Sequence, residues 1–173
     1  MSITIRHVLA VSERELAGLA ALLADCVEGG ASVGFMQPLE AQQATAFWRA
    51  VAQDVKEGRR ALLVAQDGER IVGTVQLALA QPDNQGHRAD LCKMLVASGA
   101  RRQGVGAALL DAAERVGRDL RKTLLVLDTA NADAERLYER AGWQRVGTIP
   151  GYALWPQGGS CATTYFYREL GSA

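Results

Sequence analysis

The chain has 173 residues, of which 49% are hydrophobic, and its 19 basic residues balance its 19 acidic ones. This composition is typical of one globular domain with a substantial core, and we predict a single domain over residues 1–173. Zero net charge argues against nucleic-acid binding, which needs a basic surface. No apolar run approaches the roughly 20 residues of a membrane span. The amino terminus has no signal-peptide pattern, so we expect a cytoplasmic protein without a membrane partner.

The first elements carry clear boundary signals. Residues 2–8 alternate in polarity, which predicts a strand. Ser12 precedes Glu15 by three residues, which is the pattern of a capping box at the start of a helix. That helix should end at Gly29-Gly30, and a second helix should follow Pro38.

The centre of the chain predicts a β-hairpin followed by alternating strands and helices. Two apolar runs flank Asp67-Gly68, which is the strongest short signal for a hairpin turn. A continuous apolar run at 123–129 is typical of a buried strand. Further along, the pattern predicts strands and helices over 89–97, 105–120, 133–142, 143–149 and 163–170.

This order of elements predicts an α/β (α+β) fold. The sheet should be mixed, with seven strands that are mostly antiparallel and about four flanking helices. The strand–helix–strand unit in its centre should be parallel and right-handed. Exposed sheet edges in such a fold favour a homodimer.

A turn rich in arginine and glycine, 101–106, separates a strand from a helix. The first peptide N–H groups of a helix have no partner within it and attract anions, and Gly104 and Gly106 would let a phosphate approach them. A tight connection with two solvated arginines is the alternative. A P-loop is excluded, because no Lys-Ser/Thr pair follows. The dinucleotide fingerprint has Leu109 in place of its third glycine, and one βαβ unit is too few for that fold.

Two motifs together resemble the GNAT superfamily of N-acetyltransferases. The R-x-x-G-x-G pattern starts at Arg101, and N-x-x-A-x-x-L-Y-x-x-x-G-W runs from Asn131 to Trp143. The order of elements fits as well, so the resemblance covers essentially the whole chain. The stretches GGASVGFM, HRADLCKMLV and LDT further resemble the tabtoxin-resistance acetyltransferases, which acetylate a β-lactam amino-acid toxin.

The resemblance implies acetyl-CoA as co-substrate and a small-molecule amine as acceptor. It implies that the coenzyme lies on the following residues: Met94, Leu95, Val96, Arg101, Arg102, Gln103, Gly104, Val105, Gly106, Ala107, Asn131 and Tyr138. It also implies that the Tyr138 phenol protonates the departing thiolate. The alternatives are a helix cap for Asn131 and a core aromatic for Tyr138.

Two aspartates are candidates for the base that deprotonates the amine. Asp90 lies on the fourth predicted strand and Asp128 at the end of the fifth, on a sheet that should be buried. Neighbouring carboxylates in a buried site raise each other's pKa toward a useful range. The alternatives are a turn cap for Asp128, and pairing of Asp90 with Arg88 or Lys93.

The glycine-rich stretch 28–36 should join the first two helices and contact the acceptor. Ser32 would hydrogen-bond a polar substrate, Phe35 would form an apolar wall, and Tyr152 would form the opposite wall. A plain interhelical turn is the alternative. A non-catalytic acyl-CoA or nucleotide sensor, and less favourably a small dehydrogenase, remain competing functions.

The three cysteines favour neither disulfides nor a metal. Cys26, Cys92 and Cys161 are odd in number and lack the paired spacing of metal ligands, which predicts reduced thiols and no metal. Cys92 could form an acyl-enzyme, but no histidine is suitably placed to activate it. An inert, buried thiol is the preferred interpretation.

Overall fold

The structure is a computed structural model that describes residues 2–171. It contains one mixed sheet and four α-helices. The strands are β1 Ile3–Val8, β2 Arg60–Asp67, β3 Arg70–Ala78, β4 Arg88–Val96, β5 Leu124–Thr129, β6 Gln144–Leu154 and β7 Ser160–Glu169. The helices are α1 Glu13–Glu28, α2 Ala41–Lys56, α3 Val105–Asp119 and α4 Ala132–Arg140.

The strand order in the sheet is β1-β2-β3-β4-β5-β7-β6. Only β4 and β5 run parallel, and every other neighbouring pair is antiparallel. The predicted fold class is therefore confirmed, including the central parallel unit in which α3 connects β4 to β5.

The helices cover both faces of this sheet. Gly73 of β3 lies against the Val105 and Leu109 side chains of α3, where a Cβ would come within 3.0 Å of each. Successive residues of a strand point to opposite faces. Gln76 therefore lies on the other face, where Arg60 bonds it and also contacts Asp54 of α2. The sheet thus separates α3 from the α2 side.

Local signals account for the first elements. Ser12 and Glu15 form the predicted capping box at the start of α1. Arg70 pairs with Asp67 across the predicted hairpin turn. The second helix begins three residues after Pro38, at Ala41.

The carboxyl-terminal hairpin is longer than predicted. Strand β6 continues past 149 to Leu154, with a register shift between Ile149 and Ala153. This irregularity accommodates Pro150-Gly151, and Gly151 has a φ of 63°, which favours glycine. Tyr152 consequently belongs to a strand, and the predicted loop from 150 onward is wrong in its first half.

A buried carboxylate locks α3 to the end of the sheet. Glu114 accepts a 2.9 Å hydrogen bond from the Trp143 indole and faces Arg118 at 3.2 Å. Arg168 of β7 lies 3.6 Å from the same carboxylate and donates to the Gly142 carbonyl. The charge of Glu114 therefore has cationic partners, whose removal would leave it buried and unpaired, and Trp143 serves as a structural anchor.

Candidate active site

A gap opens between the two parallel strands at the centre of the sheet. Strands β4 and β5 pair only from Arg88 with Leu124 to Asp90 with Val126. Beyond these pairs β4 continues to Val96 while bonded on one side, to β3. A register shift interrupts that pairing too, and Lys93 within it has a left-handed φ of 52°. Peptide groups of β4 are therefore available on the side that faces β5.

The candidate pantetheine residues line this part of β4. Leu95 is buried and pairs with Thr74, while Met94 and Val96 are half-buried. The Val96 carbonyl accepts a hydrogen bond from the Arg101 guanidinium at 3.3 Å. These positions leave room for a narrow ligand arm beside β4, and the binding of pantetheine there stays a prediction.

The turn that precedes α3 presents peptide N–H groups without a side-chain cap. Gly104 is the N-cap with a φ of 80°, and no side chain bonds the first turn of α3. Nothing lies within 4 Å of a Cβ built on Gly104, so the approach to these amides is open. Gly106 lies close to Leu137 of α4, where a Cβ would approach to 3.2 Å. This turn fits a pyrophosphate, because anions bind where a helix exposes its first N–H groups.

The side chains of the turn have separate surroundings. Arg101 folds back against Gly29 at the end of α1 and does not extend over Gly104 and Gly106 of the turn. Arg102 is exposed, with a left-handed φ of 59°. Gln103 donates to the Gly99 carbonyl at 3.0 Å. Val105 is buried and Ala107 exposed, so they would contribute only backbone groups.

Asn131 performs the capping role that was its alternative interpretation. Its side-chain oxygen accepts from the backbone N–H groups of Asp133 and Ala134, at 2.8 and 3.1 Å. Its amide nitrogen is not used in this cap, and the residue is exposed. The cap therefore holds the side chain in place while an N–H₂ donor stays available for a ligand.

Tyr138 is both a core aromatic and a group facing Asp128. It is 3% exposed and packs against Trp143 and Phe166, each at 5.8 Å between ring centroids. Burial, and secondarily the charge of Asp128, raise the pKa of the Tyr138 phenol well above its ordinary value. The phenol therefore keeps its proton at neutral pH, as a proton donor must.

The two candidate bases differ in their partners. Asp90 is paired with Arg88 and accepts a 2.9 Å hydrogen bond from Gln81. Asp128 accepts a 2.8 Å hydrogen bond from the Thr163 hydroxyl and is exposed. The predicted burial is wrong for Asp128, which lies beyond the last β4–β5 pair and is exposed, whereas Asp90 lies in that last pair and is half-buried. Of these two carboxylates, Asp128 is the one that forms no salt bridge within residues 2–171.

A second tyrosine, which sequence reasoning missed, completes this end of the cleft. Tyr165 of β7 pairs directly with Asp128 of β5, and its hydroxyl lies 2.8 Å from that of Tyr152. The hydrogen bond to Tyr152, then partial burial and the charges of Asp128 and Asp90, raise the pKa of Tyr165 to about 12. Asp90, Asp128, Tyr152 and Tyr165 therefore lie near one another at this end of the cleft.

The loop 29–38 covers the acceptor side of that cleft. Phe35 packs edge-on against Phe47, with 5.2 Å between ring centroids, and its role as a wall for the acceptor stays a prediction. The Ser32 hydroxyl donates to the Leu154 carbonyl at 3.1 Å and receives a weak bond from Cys161. Ser32 therefore ties the loop to the end of β6, and its hydroxyl is already engaged.

The Cys92 thiol is not activated by its surroundings. Burial raises the pKa of the Cys92 thiol, which stabilises its neutral form. Arg60 contacts this sulfur at 3.5 Å. Within residues 2–171, no three histidine, cysteine or carboxylate side chains form a cluster suited to a metal.

The gap, the uncapped helix and the acidic cleft define an enzyme that holds an acyl thioester beside an amine. The sequence matches the Acetyltransferase (GNAT) family over residues 11–143. The chain therefore belongs to the GNAT acetyltransferase family, whose co-substrate is acetyl-CoA. Among its four described helices, none has the length and apolar character to cross a bilayer.

Solved structures share this fold over almost their full length. A ribosomal-protein-alanine N-acetyltransferase from Brucella melitensis is 22% identical, with a TM-score of 0.81 and coverage of 96% of this chain and 99% of that one. A phosphinothricin acetyltransferase from Sinorhizobium meliloti, solved with acetyl-CoA, is 18% identical with a TM-score of 0.80, and the match covers 99% and 90% of the two chains. A Salmonella typhimurium protein solved with acetyl-CoA is 16% identical, with a TM-score of 0.81 and coverage of 100% and 96%.

Proposed function

We propose that the protein transfers the acetyl group of acetyl-CoA directly to the amine of a small molecule. The observation that carries this proposal is the exposed Asp128 carboxylate, which lies beyond the last β4–β5 pair and opposite Tyr165 of β7. A non-catalytic sensor would need the anion-binding turn but neither of the proton-transfer groups.

The chain would hold the coenzyme along one continuous path. Backbone N–H groups of Val105, Gly106 and Ala107 face the pyrophosphate, and Arg102 adds positive charge nearby. The edge of β4 around Met94 pairs with the pantetheine amides, as the missing strand partner would. The Asn131 amide nitrogen donates to the same arm. When bound, acetyl-CoA supplies an activated thioester carbonyl.

Two side chains would move protons. The Asp128 carboxylate accepts a proton from the acceptor amine, since free amines of pKa about 8 to 10 are protonated at neutral pH. The Tyr138 hydroxyl donates its proton to the sulfur. Burial raises the pKa of Tyr138 and makes it a weaker acid than a free phenol, so the transfer requires that the same burial also raise the pKa of the departing thiol. Asp90, held by Arg88, is the second candidate base.

The acceptor side favours a compact polar molecule with some apolar surface. Phe35 supplies an apolar wall, and Tyr152, which is 49% exposed, supplies a wall with a hydroxyl. An amino-acid-like acceptor, including a β-lactam toxin, fits these walls, and the phosphinothricin acetyltransferase of Sinorhizobium meliloti shares the fold. A role in toxin resistance follows if that acceptor is correct.

The test is a screen of amine acceptors that detects CoA release with a thiol reagent. Amino acids, polyamines, aminoglycosides, β-lactam amino acids and amino-terminal peptides are compared at fixed acetyl-CoA. Turnover with a small amine supports the proposal. Tight binding of acetyl-CoA in calorimetry, with no turnover on any acceptor, would instead establish a sensor. Ultracentrifugation of the same samples tests the predicted homodimer.

A further inference from the structure

A lysine of the central strand points into the acceptor side of the cleft. Lys93 lies at the register shift of β4 with a left-handed backbone. Its ammonium is 5.7 Å from the centroid of the Phe47 ring in α2. It is also 3.7 Å from the place where a Cβ on Gly34 would lie, beneath the loop 29–38. The positive charge is therefore on the face of the sheet opposite α3.

The described residues supply no counter-ion for Lys93. Arg60 and Arg88, two further cations at this strand, are paired with Asp54 and Asp90. Lys93 forms no ion pair with any carboxylate of residues 2–171, and it contacts the face of an aromatic ring. Lys93 is half-buried, so an anionic group of a ligand would complement its charge.

An open carboxylate lies on the other strand that borders the gap. Asp90 is the last residue of β4 that pairs with β5, opposite Val126. Asp128 lies two residues beyond this last pair on β5, and Lys93 lies three residues beyond it on β4. The cleft therefore presents one unpaired negative charge at Asp128 and one unpaired positive charge at Lys93. A molecule that carries an amine and a carboxylate complements both.

We propose that Lys93 binds a carboxylate of the acceptor and thereby selects amino acids and their analogues over simple amines. This inference rests on the proposed acetyl transfer and specifies its substrate class. Lys93 would orient the acceptor so that its amine lies at the Asp128 carboxylate. The aromatic ring of Phe47 limits the movement of the lysine side chain, so that less freedom is lost on binding.

The test compares amino acids with their carboxamides, and rates are expressed per deprotonated amine because loss of the carboxylate also lowers the pKa of the neighbouring amine. For the wild type we expect kcat/KM to be about 10- to 100-fold higher for the carboxylate form, which is the range of a hydrogen bond between charged groups. Lys93→Met should raise KM for the carboxylate form by about that factor, with little change for the carboxamide. Lys93→Arg should retain much of the preference. Lys56→Met, at an exposed lysine of α2, is the control.

The outcomes separate this inference from the proposed function. Acetylation of carboxamides and acids at similar rates by the wild type overturns the role of Lys93 while leaving N-acetyltransfer intact. An equal loss on both acceptors in Lys93→Met, or a weaker affinity for acetyl-CoA, would show that Lys93 supports the strand or the coenzyme instead. Absence of transfer to every acceptor removes both proposals. Circular dichroism melting confirms that each variant is folded.

Discussion

Asp128 of β5 and Tyr165 of β7 are direct cross-strand partners, and the Tyr165 hydroxyl is hydrogen-bonded to that of Tyr152 at 2.8 Å. We expect Tyr152→Phe to lower the pKa of Tyr165 from about 12, because that hydrogen bond is the largest cause of the increase. An alkaline titration of tyrosinate absorbance measures this, and Tyr165→Phe identifies the signal. An unchanged titration in Tyr152→Phe would show that the pair is not formed in solution.

Replacement of Asp128 by asparagine should lower kcat/KM, because the carboxylate can accept the amine proton whereas the amide cannot. General-base catalysis typically contributes about 10²- to 10⁴-fold. Asp133→Asn is the control, since Asp133 is exposed and pairs with Arg136 on α4. A kcat/KM of Asp128→Asn equal to that of the wild type would shift the role to Asp90, which Asp90→Asn then tests.

Tyr138→Phe should reduce turnover while the affinity for acetyl-CoA is unchanged.

The same variant should also change how the free energy of unfolding depends on pH. Because the pKa of Tyr138 is raised on folding, its contribution is complete below pH about 10, the unfolded value, and is lost as the pH rises above it. The free energy of unfolding of the wild type should thus fall, relative to Tyr138→Phe, by about 1.4 kcal/mol per pH unit above 10. Urea unfolding at several alkaline pH values measures this, and parallel curves would contradict the burial of the phenol.

The two ends of α3 provide a matched test of the anion-binding turn. Arg102 precedes this helix and Arg121 follows it, and both are exposed with left-handed backbones, φ 59° and 58°. Arg102→Glu should weaken acetyl-CoA binding by about tenfold, since surface charges near a bound phosphate contribute on the order of 1 kcal/mol. Arg121→Glu should leave binding unchanged. Equal effects in calorimetry would mean that net charge, and not the turn, attracts the coenzyme.

Local signals in the sequence accounted for most of the scaffold. Ser12 and Glu15 determine the start of α1 through side-chain hydrogen bonds that only neighbouring residues are needed to form. The Asp67-Gly68 turn determines a hairpin for the same reason. The motif from Asn131 to Trp143 placed α4, although the buried partner of Trp143, Glu114, is distant in sequence.

The features of the cleft that escaped prediction depend on pairing between distant strands. Tyr165 is one aromatic among several in an alternating strand, and only its registration with Asp128 places it in the site. Lys93 resembles any polar strand residue until the register shift turns its side chain beneath the loop. The exposure of Asp128 likewise follows from the separation of β4 and β5, which a continuous apolar run cannot reveal.

The loop 29–38 is hydrogen-bonded to residues 154 and 156, which lie near the carboxyl-terminal hairpin turn. Ser32 bonds the Leu154 carbonyl, and the Gln37 peptide N–H bonds the Pro156 carbonyl at 2.8 Å. Two segments separated by more than a hundred residues therefore form a single rim. A chimaera that takes only the loop from another acetyltransferase would lose these hydrogen bonds. A chimaera that exchanges the loop and the β6–β7 turn together would keep hydrogen bonds between the two segments. Altering the acceptor range of this enzyme by transplantation consequently requires both pieces.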